Sequence, residues 1–381
     1  MVRSRAGGER QRPARLREKG ALMLEVTSFG STPDGAEAHA YTLSTAHARA
    51  TVSDFGATLL GMEVPDRDGT FADVILGFAD VKGYAGVNGS CYGGVIGPMA
   101  NRTDRAEVPI DGTIYHLLGN DGANKENNLH SDLAHGLHKR LWDASYDEST
   151  NTLVLSCSLS DGELGLPGNR TFTASYTLAE PEGGVAELTL RFGCTTDART
   201  VVNMTSHTYV NLAGHAAGSV LGQTAVIDAD AYLPLREDSV SEGFAEAVDD
   251  TPFDFRTPKA LGTDIDADCE QLRRARGYDH CFCVRGYEPG AEPRHAMRLE
   301  DPESGRALDI LITMPGAHLY TGNWCDDAEG VKDGASYHPR DGVAFEPEFY
   351  PDFPHHAEWD QPVCEPGRPY DQTIVYRFST I

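Results

Sequence analysis

Asp-Gly dipeptides punctuate this 381-residue chain, at 68–69, 111–112, 121–122, 161–162, 333–334 and 341–342 among others. Glycine enters positive φ without a Cβ clash and Asp tolerates the left-handed region, so the pair closes tight hairpins. Between the turns lie short segments in which apolar and polar residues alternate, as in Leu153-Val-Leu-Ser-Cys-Ser-Leu159 and Glu187-Leu-Thr-Leu-Arg-Phe192. Period-two alternation places one face of a strand in a core and the other towards solvent. Strands are expected over 57–64, 74–78, 153–158, 172–178, 186–192, 308–314 and 373–378, with a hairpin over 108–115. Helical periodicity is nearly absent, and 266–276 is the best candidate for one short helix. The fold class is therefore all-β: a large antiparallel β-sandwich with few short helices. No composition break or internal repeat divides it, so 23–381 is read as a single domain. The acidic, turn-rich stretch 228–268 is expected to be an excursion over the surface.

The formal net charge of -26 argues against a nucleic-acid partner, whose phosphates call for a basic surface. No run of about 20 apolar residues is present, so no membrane span is expected. Residues 1–22 stand apart: Arg3, Arg5, Arg10, Arg12, Arg15, Arg17 and Lys19 face only Glu9 and Glu18 there. That segment lacks the apolar stretch of a secretory signal. It is read as a disordered leader or a start-site artefact, with Met23 as the working start. The eight cysteines are scattered, and none forms a C-x-x-C pair. Cys281 and Cys283 alternate on one expected strand, but no second pair completes a zinc site. Buried free thiols in a reducing, cytoplasmic setting are expected. Gly93-Gly94-Val-Ile-Gly97 precedes neither a helix nor a Lys-Ser/Thr, so it is not a phosphate cradle. No motif calls for a cofactor or a metal.

Four segments carry chemistry. The first holds Asn101 and Arg102, followed at a distance by Asn127-Asn-Leu-His130; an arginine fork with carboxamides and an imidazole suits hydroxyl-rich ligands. The second is Asn203-Met-Thr-Ser-His-Thr-Tyr-Val-Asn-Leu212, which sets His207 among hydroxyls and carboxamides. An imidazole titrates near pH ~6.5 and can give or take a proton. The third is Gly277-Tyr-Asp-His-Cys-Phe282, with Asp279 leading an apolar strand. The fourth is Gly342-Val-Ala-Phe-Glu-Pro-Glu-Phe-Tyr-Pro-Asp352, which carries Glu346 and Glu348. Taken singly, each is equally well a capped turn, a surface acid or a salt-bridged glutamate.

In this order and with these flanks, from about residue 24 to the C-terminus, they resemble the galactose mutarotases, the aldose 1-epimerase family. The matching segments are Asn101-Arg102, Asp111-Gly112 to Tyr115, Asn128-Leu-His130, Ser206 to Leu212, Tyr278-Asp-His280, Tyr320-Thr-Gly322 and Phe345-Glu346 to Pro351-Asp352. The resemblance implies a galactose mutarotase-like supersandwich, with His207 as general acid and Glu346 as general base. Arg102, His130, Asp279 and Asn101 then match positions that bind the sugar. The implied reaction is interconversion of the α and β anomers of a free hexose such as galactose or glucose. It needs two proton transfers and no cofactor; a small monosaccharide would be the partner, and the protein a monomer or homodimer. A free Glu has a pKa of ~4.3, so Glu346 is expected ionised, with His207 protonated on the other side of the ring and helped by Asp279.

Several positions depart from the family pattern. Thr103-Asp-Arg105 follows Asn101-Arg102, Ser131-Asp132 stands in place of Gly-Gly, 125–127 lengthens the preceding loop, and Glu348 replaces the usual glutamine. Three alternatives stay open. A hexose-phosphate 1-epimerase would draw on Arg102, Arg105, Lys139 and Arg140 for the phosphate. A non-catalytic sugar binder would need no acid and base. A glycoside lyase or hydrolase would want carboxylates farther apart than Glu346 and Glu348.

Overall fold

Strands Asp279–Val284, Gly316–Tyr320 and Val343–Glu348 lie side by side, antiparallel, and each presents two chemically different faces. One face carries Phe282, Ala317, Leu319, Val343 and Phe345. The other carries Asp279, His318, Tyr320, Glu346 and Glu348. Both follow from side chains pointing alternately to opposite sides of a strand. Tyr209–Val210 joins one edge of the trio, and Ala229–Tyr232 with Glu246–Ala247 the other, making a six-stranded sheet. The computed structural model describes residues 23–86, 90–182 and 184–381, so the leader read at 1–22 lies outside the described residues.

The apolar face packs on a nine-stranded antiparallel sheet. From one edge this sheet runs Asp143–Asp147, Thr152–Leu159, Arg170–Ala179, Ala186–Thr196, Tyr370–Thr380, Arg306–Ile312, Arg294–Glu300, Thr224–Ile227 and Lys259–Ala260. Val210, Val343 and Phe345 meet Met297, Leu299, Leu308 and Ile310 around a void of only about 10 Å³, too small to give up much contact. A five-stranded meander, Met23–Ser31 to Phe71–Asp73, completes the architecture. The all-β sandwich expected from the alternation is what the chain forms.

Most expected strands are present with longer ends, such as Arg170–Ala179 and Tyr370–Thr380. The hairpin closes as its dipeptide requires, with Asp111 at φ 48° and Gly112 at φ 81° joining Glu107–Ile110 to Thr113–His116. Three expectations change. The run 74–78 is no strand: it makes two isolated bridges, Ile75 to Val210 and Phe78 to Val331, and is apolar because it is buried on all sides. The helix is confined to Glu270–Ala275, since 264–269 is spent on turns and Arg276 at φ 59° ends it. The stretch 228–268 is no surface excursion. It adds short strands to both sheets and buries Val248, Phe253, Phe255 and Leu261.

The glycine run holds backbone rather than phosphate. Gly93 N–H donates to the His207 carbonyl at 2.8 Å, and His207 N–H donates to the Gly94 carbonyl at 3.0 Å. A Cβ on Gly93 would sit 2.1 Å from the Leu59 carbonyl oxygen. Gly93→Ala is therefore expected to lower stability by about 2–4 kcal/mol, a core-clash magnitude, read as a lower urea midpoint. An unchanged midpoint would show that this loop can move aside.

Candidate active site

The polar face of the three central strands is the floor of a cavity of about 490 Å³, within the ordinary size range for small-ligand sites. The antiparallel register sets His318 directly opposite Glu346 and Asp279 opposite Tyr320. The 203–212 segment closes one side, bringing His207 and Tyr209, and the loops at 101–102 and 129–130 close another. All six site residues expected from sequence, His207, Glu346, Arg102, His130, Asp279 and Asn101, line this cavity.

His207 Nε2 lies 3.6 Å from Glu346 Oε2, so the two stand side by side on the cavity wall. The imidazole stacks on Tyr209, with ring centres 5.0 Å apart and planes 28° apart, and meets the edge of His130 at 5.4 Å. Burial pushes His207 down to about 4, against the pull of Asp279. Burial lifts Glu346 well above the carboxylate range; His318 and Arg102 oppose this, while Glu348 and Asp279 add to it. This corrects the expectation of a freely ionised Glu346 beside a protonated His207. Without a ligand both groups are driven towards neutrality, because a charge in a buried pocket loses its water. Neutral acid plus neutral imidazole holds the same single proton as carboxylate plus imidazolium. The pair therefore always holds one donor and one acceptor.

Behind it lies a second pair. His318 Nε2 is 2.8 Å from Asp279 Oδ1, and its Nδ1 is 3.5 Å from Glu348 Oε1. Burial would lower His318, but hydrogen bonds and charge from Asp279 and Glu348 carry it up to about 10. Burial would raise Asp279, yet His318 and Arg102 bring it down to about 2. Arg102 Nε donates to Asp121 Oδ2 at 2.8 Å, which leaves the other donors of its fork uncommitted to that bond. Asn101 is turned inward. Its Oδ1 accepts from Arg102 N–H at 2.8 Å, and its Nδ2 reaches Glu348 Oε1 and His318 Nδ1, each at 3.1 Å.

By residue type, His130, His207 and Glu346 could ligate a divalent cation, their ligand atoms all lying within 4.8 Å of one another. The backbone N–H of Asn101, however, donates to His130 Nδ1 at 3.1 Å. The remaining nitrogen of that neutral ring carries the proton, so it is a donor rather than a metal ligand.

The family-pattern departures turn out to be tied to protein. Ser131 Oγ donates to the Met99 carbonyl at 3.1 Å and accepts from Met99 N–H at 2.8 Å. These bonds hold positive φ at His130 and Ser131, 55° and 63°, where glycine would be the relaxed choice. Asp132 caps the N–H groups of Ala134 and His135, and Asp104 pairs with Arg236 at 2.6 Å. Sequence reading missed His318, although it stands two residues before Tyr320 on a strand whose outward positions alternate. It also missed Trp324, 58% exposed at the cavity mouth with the Arg276 guanidinium 3.9 Å above its ring.

A sandwich whose polar sheet face presents one proton to a pocket of hydroxyl-binding groups is an acid–base site. The chain matches the family model described as aldose 1-epimerase over residues 39–377. It is 34% identical over 361 residues to the galactose mutarotase of Homo sapiens, covering 94% of this chain and 99% of that one. It is 32% identical over 351 residues to the aldose 1-epimerase of Escherichia coli K12, covering 91% and 96%. The galactose 1-epimerase structure from Lactobacillus acidophilus shares the fold, with a TM-score of 0.79 at 24% identity, covering 94% of this chain and 99% of that one. The chain belongs to the aldose 1-epimerase family.

The Asp279–His318 pair should show in stability. Asp279 is depressed from 3.8 to about 2, so its contribution is present above pH 3.8 and lost as pH falls towards 2. His318 is raised from 6.5 to about 10, so its contribution is present below pH 6.5 and lost as pH rises through 10. The difference in urea midpoint between wild type and Asp279→Asn is expected to be greatest between about pH 4 and 6.5. It should shrink on both sides, and a difference flat across pH would refute the ion pair.

Proposed function

We propose that His207 and Glu346 are the acid and base of anomer interconversion on a free hexose, galactose or glucose. The activity itself, isomerisation between the α and β anomers of an aldose, is that of the family to which the chain belongs. The observation that carries the residue assignment is the 3.6 Å separation of His207 Nε2 and Glu346 Oε2. The ring oxygen and the anomeric hydroxyl are bonded to the same carbon, so the groups serving them must stand close together. Side by side is thus a better arrangement than the opposed placement expected from sequence.

Opening the ring needs a proton delivered to the ring oxygen while the anomeric hydroxyl gives one up. With the shared proton on His207, the imidazolium serves the ring oxygen and the Glu346 carboxylate takes the hydroxyl proton. Rotation about C1–C2 and reclosure, with the two roles exchanged, gives the other anomer. Hydroxyl groups donating to Glu346 replace its lost water and favour the carboxylate. Arg102 and His130 present N–H donors, and Asp279 an acceptor, to the remaining hydroxyls. Asn101 contributes by holding Glu348 and His318 in place.

The phosphate alternative finds no support in the arrangement of cations. Lys139 donates to the Tyr84 and Gly86 carbonyls at 2.7 and 2.8 Å, and Arg140 pairs with Glu163 at 2.7 Å. Both face a different groove, which includes Phe55 and Leu141, and Arg105 is engaged with Asp104 and Glu107. Among the described residues no helix is long and apolar enough to cross a membrane.

Polarimetry of freshly dissolved α-D-galactose and α-D-glucose tests the assignment. Glu346→Gln and His207→Ala are expected to lower kcat by about 10²–10⁴-fold, the usual worth of a positioned proton donor or acceptor. Arg102→Ala should act mainly on KM. Near-normal turnover in either of the first two variants would remove that residue from the reaction.

A further inference from the structure

His318, buried to 2% exposure, lies between two carboxylates and one strand away from Glu346. We propose that the Asp279–His318 ion pair directs the proton shared by His207 and Glu346, with His318 a cationic positioning residue that favours the carboxylate at Glu346 while Asp279 favours the imidazolium at His207. The proposal rests on the acid–base reading above and deepens it.

The geometry argues for the cation. Both ring nitrogens of His318 face carboxylate oxygens, Asp279 Oδ1 at 2.8 Å and Glu348 Oε1 at 3.5 Å. Only the doubly protonated ring donates on both sides. The amide of Asn101 cannot turn to offer His318 its oxygen, because that oxygen accepts from Arg102 N–H. Its nitrogen stands 3.1 Å from both Glu348 Oε1 and His318 Nδ1. Donating to Glu348 it leaves His318 Nδ1 as a second donor to that carboxylate, whereas donating to His318 it would make the ring neutral, and the titration of the ring separates the two. Glu348 has its other oxygen, Oε2, buried without a hydrogen bond. Burial raises its carboxyl, and hydrogen bonding and charge from His318, with a hydrogen bond from Asn101, oppose this; it stays ionised only with a positive neighbour.

Placement then gives direction. His318 is the cross-strand partner of Glu346, and among the charged groups acting on Glu346 it is the foremost. Among the charged groups acting on His207, Asp279 is the foremost and opposes the effect of burial. The ion pair thus acts as a dipole: at Glu346 the lowering by His318 outweighs the raising by Asp279, and at His207 the raising by Asp279 outweighs the lowering by His318. Glu346 is faced by His207 and Tyr209 from the 203–212 segment, and by His318 and Tyr320 from the adjoining strand. Asp279 and Cys281 face it from the strand beyond, Glu348 from its own strand, Arg102 and His130 from the loops opposite, and the neutral Cys91 and Tyr376 also act on it from the 91–94 loop and the nine-stranded sheet. Of these, only His318 and Arg102 are cations independent of the shared proton. Arg102 already neutralises Asp121 at 2.8 Å. Burial holds the proton towards Glu346 in the ligand-free pocket; His318 at Glu346 and Asp279 at His207 oppose it, which eases transfer of the proton to His207 when a sugar's hydroxyls replace the lost water.

The test uses ligand-free protein with ¹³C-labelled glutamate carboxyls and ¹⁵N-labelled histidine, titrated by NMR, beside pH profiles of kcat/KM from polarimetry. In the wild type, both His318 nitrogens are expected to stay protonated above pH 8; a ring already neutral at pH 7 overturns the proposal. His318→Gln keeps a donor and removes the charge. Glu346 titration and the acid limb of kcat/KM should both move up by about one pH unit, a tenfold loss on that limb, with KM changed less than about twofold. Glu348→Gln removes a like charge while Asp279 still holds His318, so the same two readings should move down. Opposite shifts in the two variants support the bias, because a purely structural role would not reverse its sign. Shifts in one direction, or none, refute it. Absence of any catalysis in the wild type sinks the acid–base reading instead, and the carboxyl titrations still decide whether the dipole acts on Glu346.

Discussion

Antiparallel register across three strands, Asp279–Val284, Gly316–Tyr320 and Val343–Glu348, is the constraint from which the rest of the site follows. Because side chains alternate, a register that sends Phe282, Leu319, Val343 and Phe345 into the sandwich core sends Asp279, His318, Tyr320, Glu346 and Glu348 to the other side. A slip of one residue in the first or third strand would place a carboxylate in the core and a phenyl ring in the pocket, and in the second it would put the His318 imidazole in the core. These outcomes are costly, so packing against the nine-stranded sheet specifies the catalytic geometry as firmly as any contact within the cavity. Glu346 is therefore placed by the packing of apolar residues on the opposite face of its own sheet.

The same arrangement accounts for the electrostatic character of the pocket. Burying Asp279, Glu346, Glu348, Arg102 and His318 together would be prohibitive if each stood alone. They are tolerated as a set whose charges interleave, with Asn101 supplying neutral hydrogen bonds to two of them. The set leaves one proton unassigned between His207 and Glu346. That proton is what the network holds ready to give or take. A pocket that met every need of its own polar groups would have nothing to offer a substrate.

Much of this was legible beforehand. Asp111-Gly112 announced its hairpin because the dipeptide permits two consecutive positive φ values, a strictly local property. The alternation at 153–159 and 187–192 announced the central strands of the nine-stranded sheet for a similar reason. The family resemblance placed His207, Glu346, Arg102, His130, Asp279 and Asn101 around one cavity, and all six do line it. What sequence could not supply was pairing. The run 74–78 has the composition of a strand, but composition records burial and not a continuous ladder: its backbone bonds Tyr209 and Asn211 and forms isolated bridges only. His318 escaped notice because Gly316–Tyr320 reads as an apolar core strand, and nothing local says which face meets a carboxylate on either side.

Protonation was the least legible feature, and the reason is physical. Glu346 read from its side chain alone is an ordinary carboxylate, ionised at neutral pH. In place it is buried, flanked by two other carboxylates, and held 3.6 Å from an imidazole that burial also drives to neutrality. Burial drives the proton towards Glu346, and the fields of Asp279 and His318, residues 67 and 28 positions away from Glu346 along the chain, oppose it. The identity of the acid and the base is thus a property of the folded sheet and not of either residue. Side chain and sequence position name the candidates, and the surrounding charges assign them their roles.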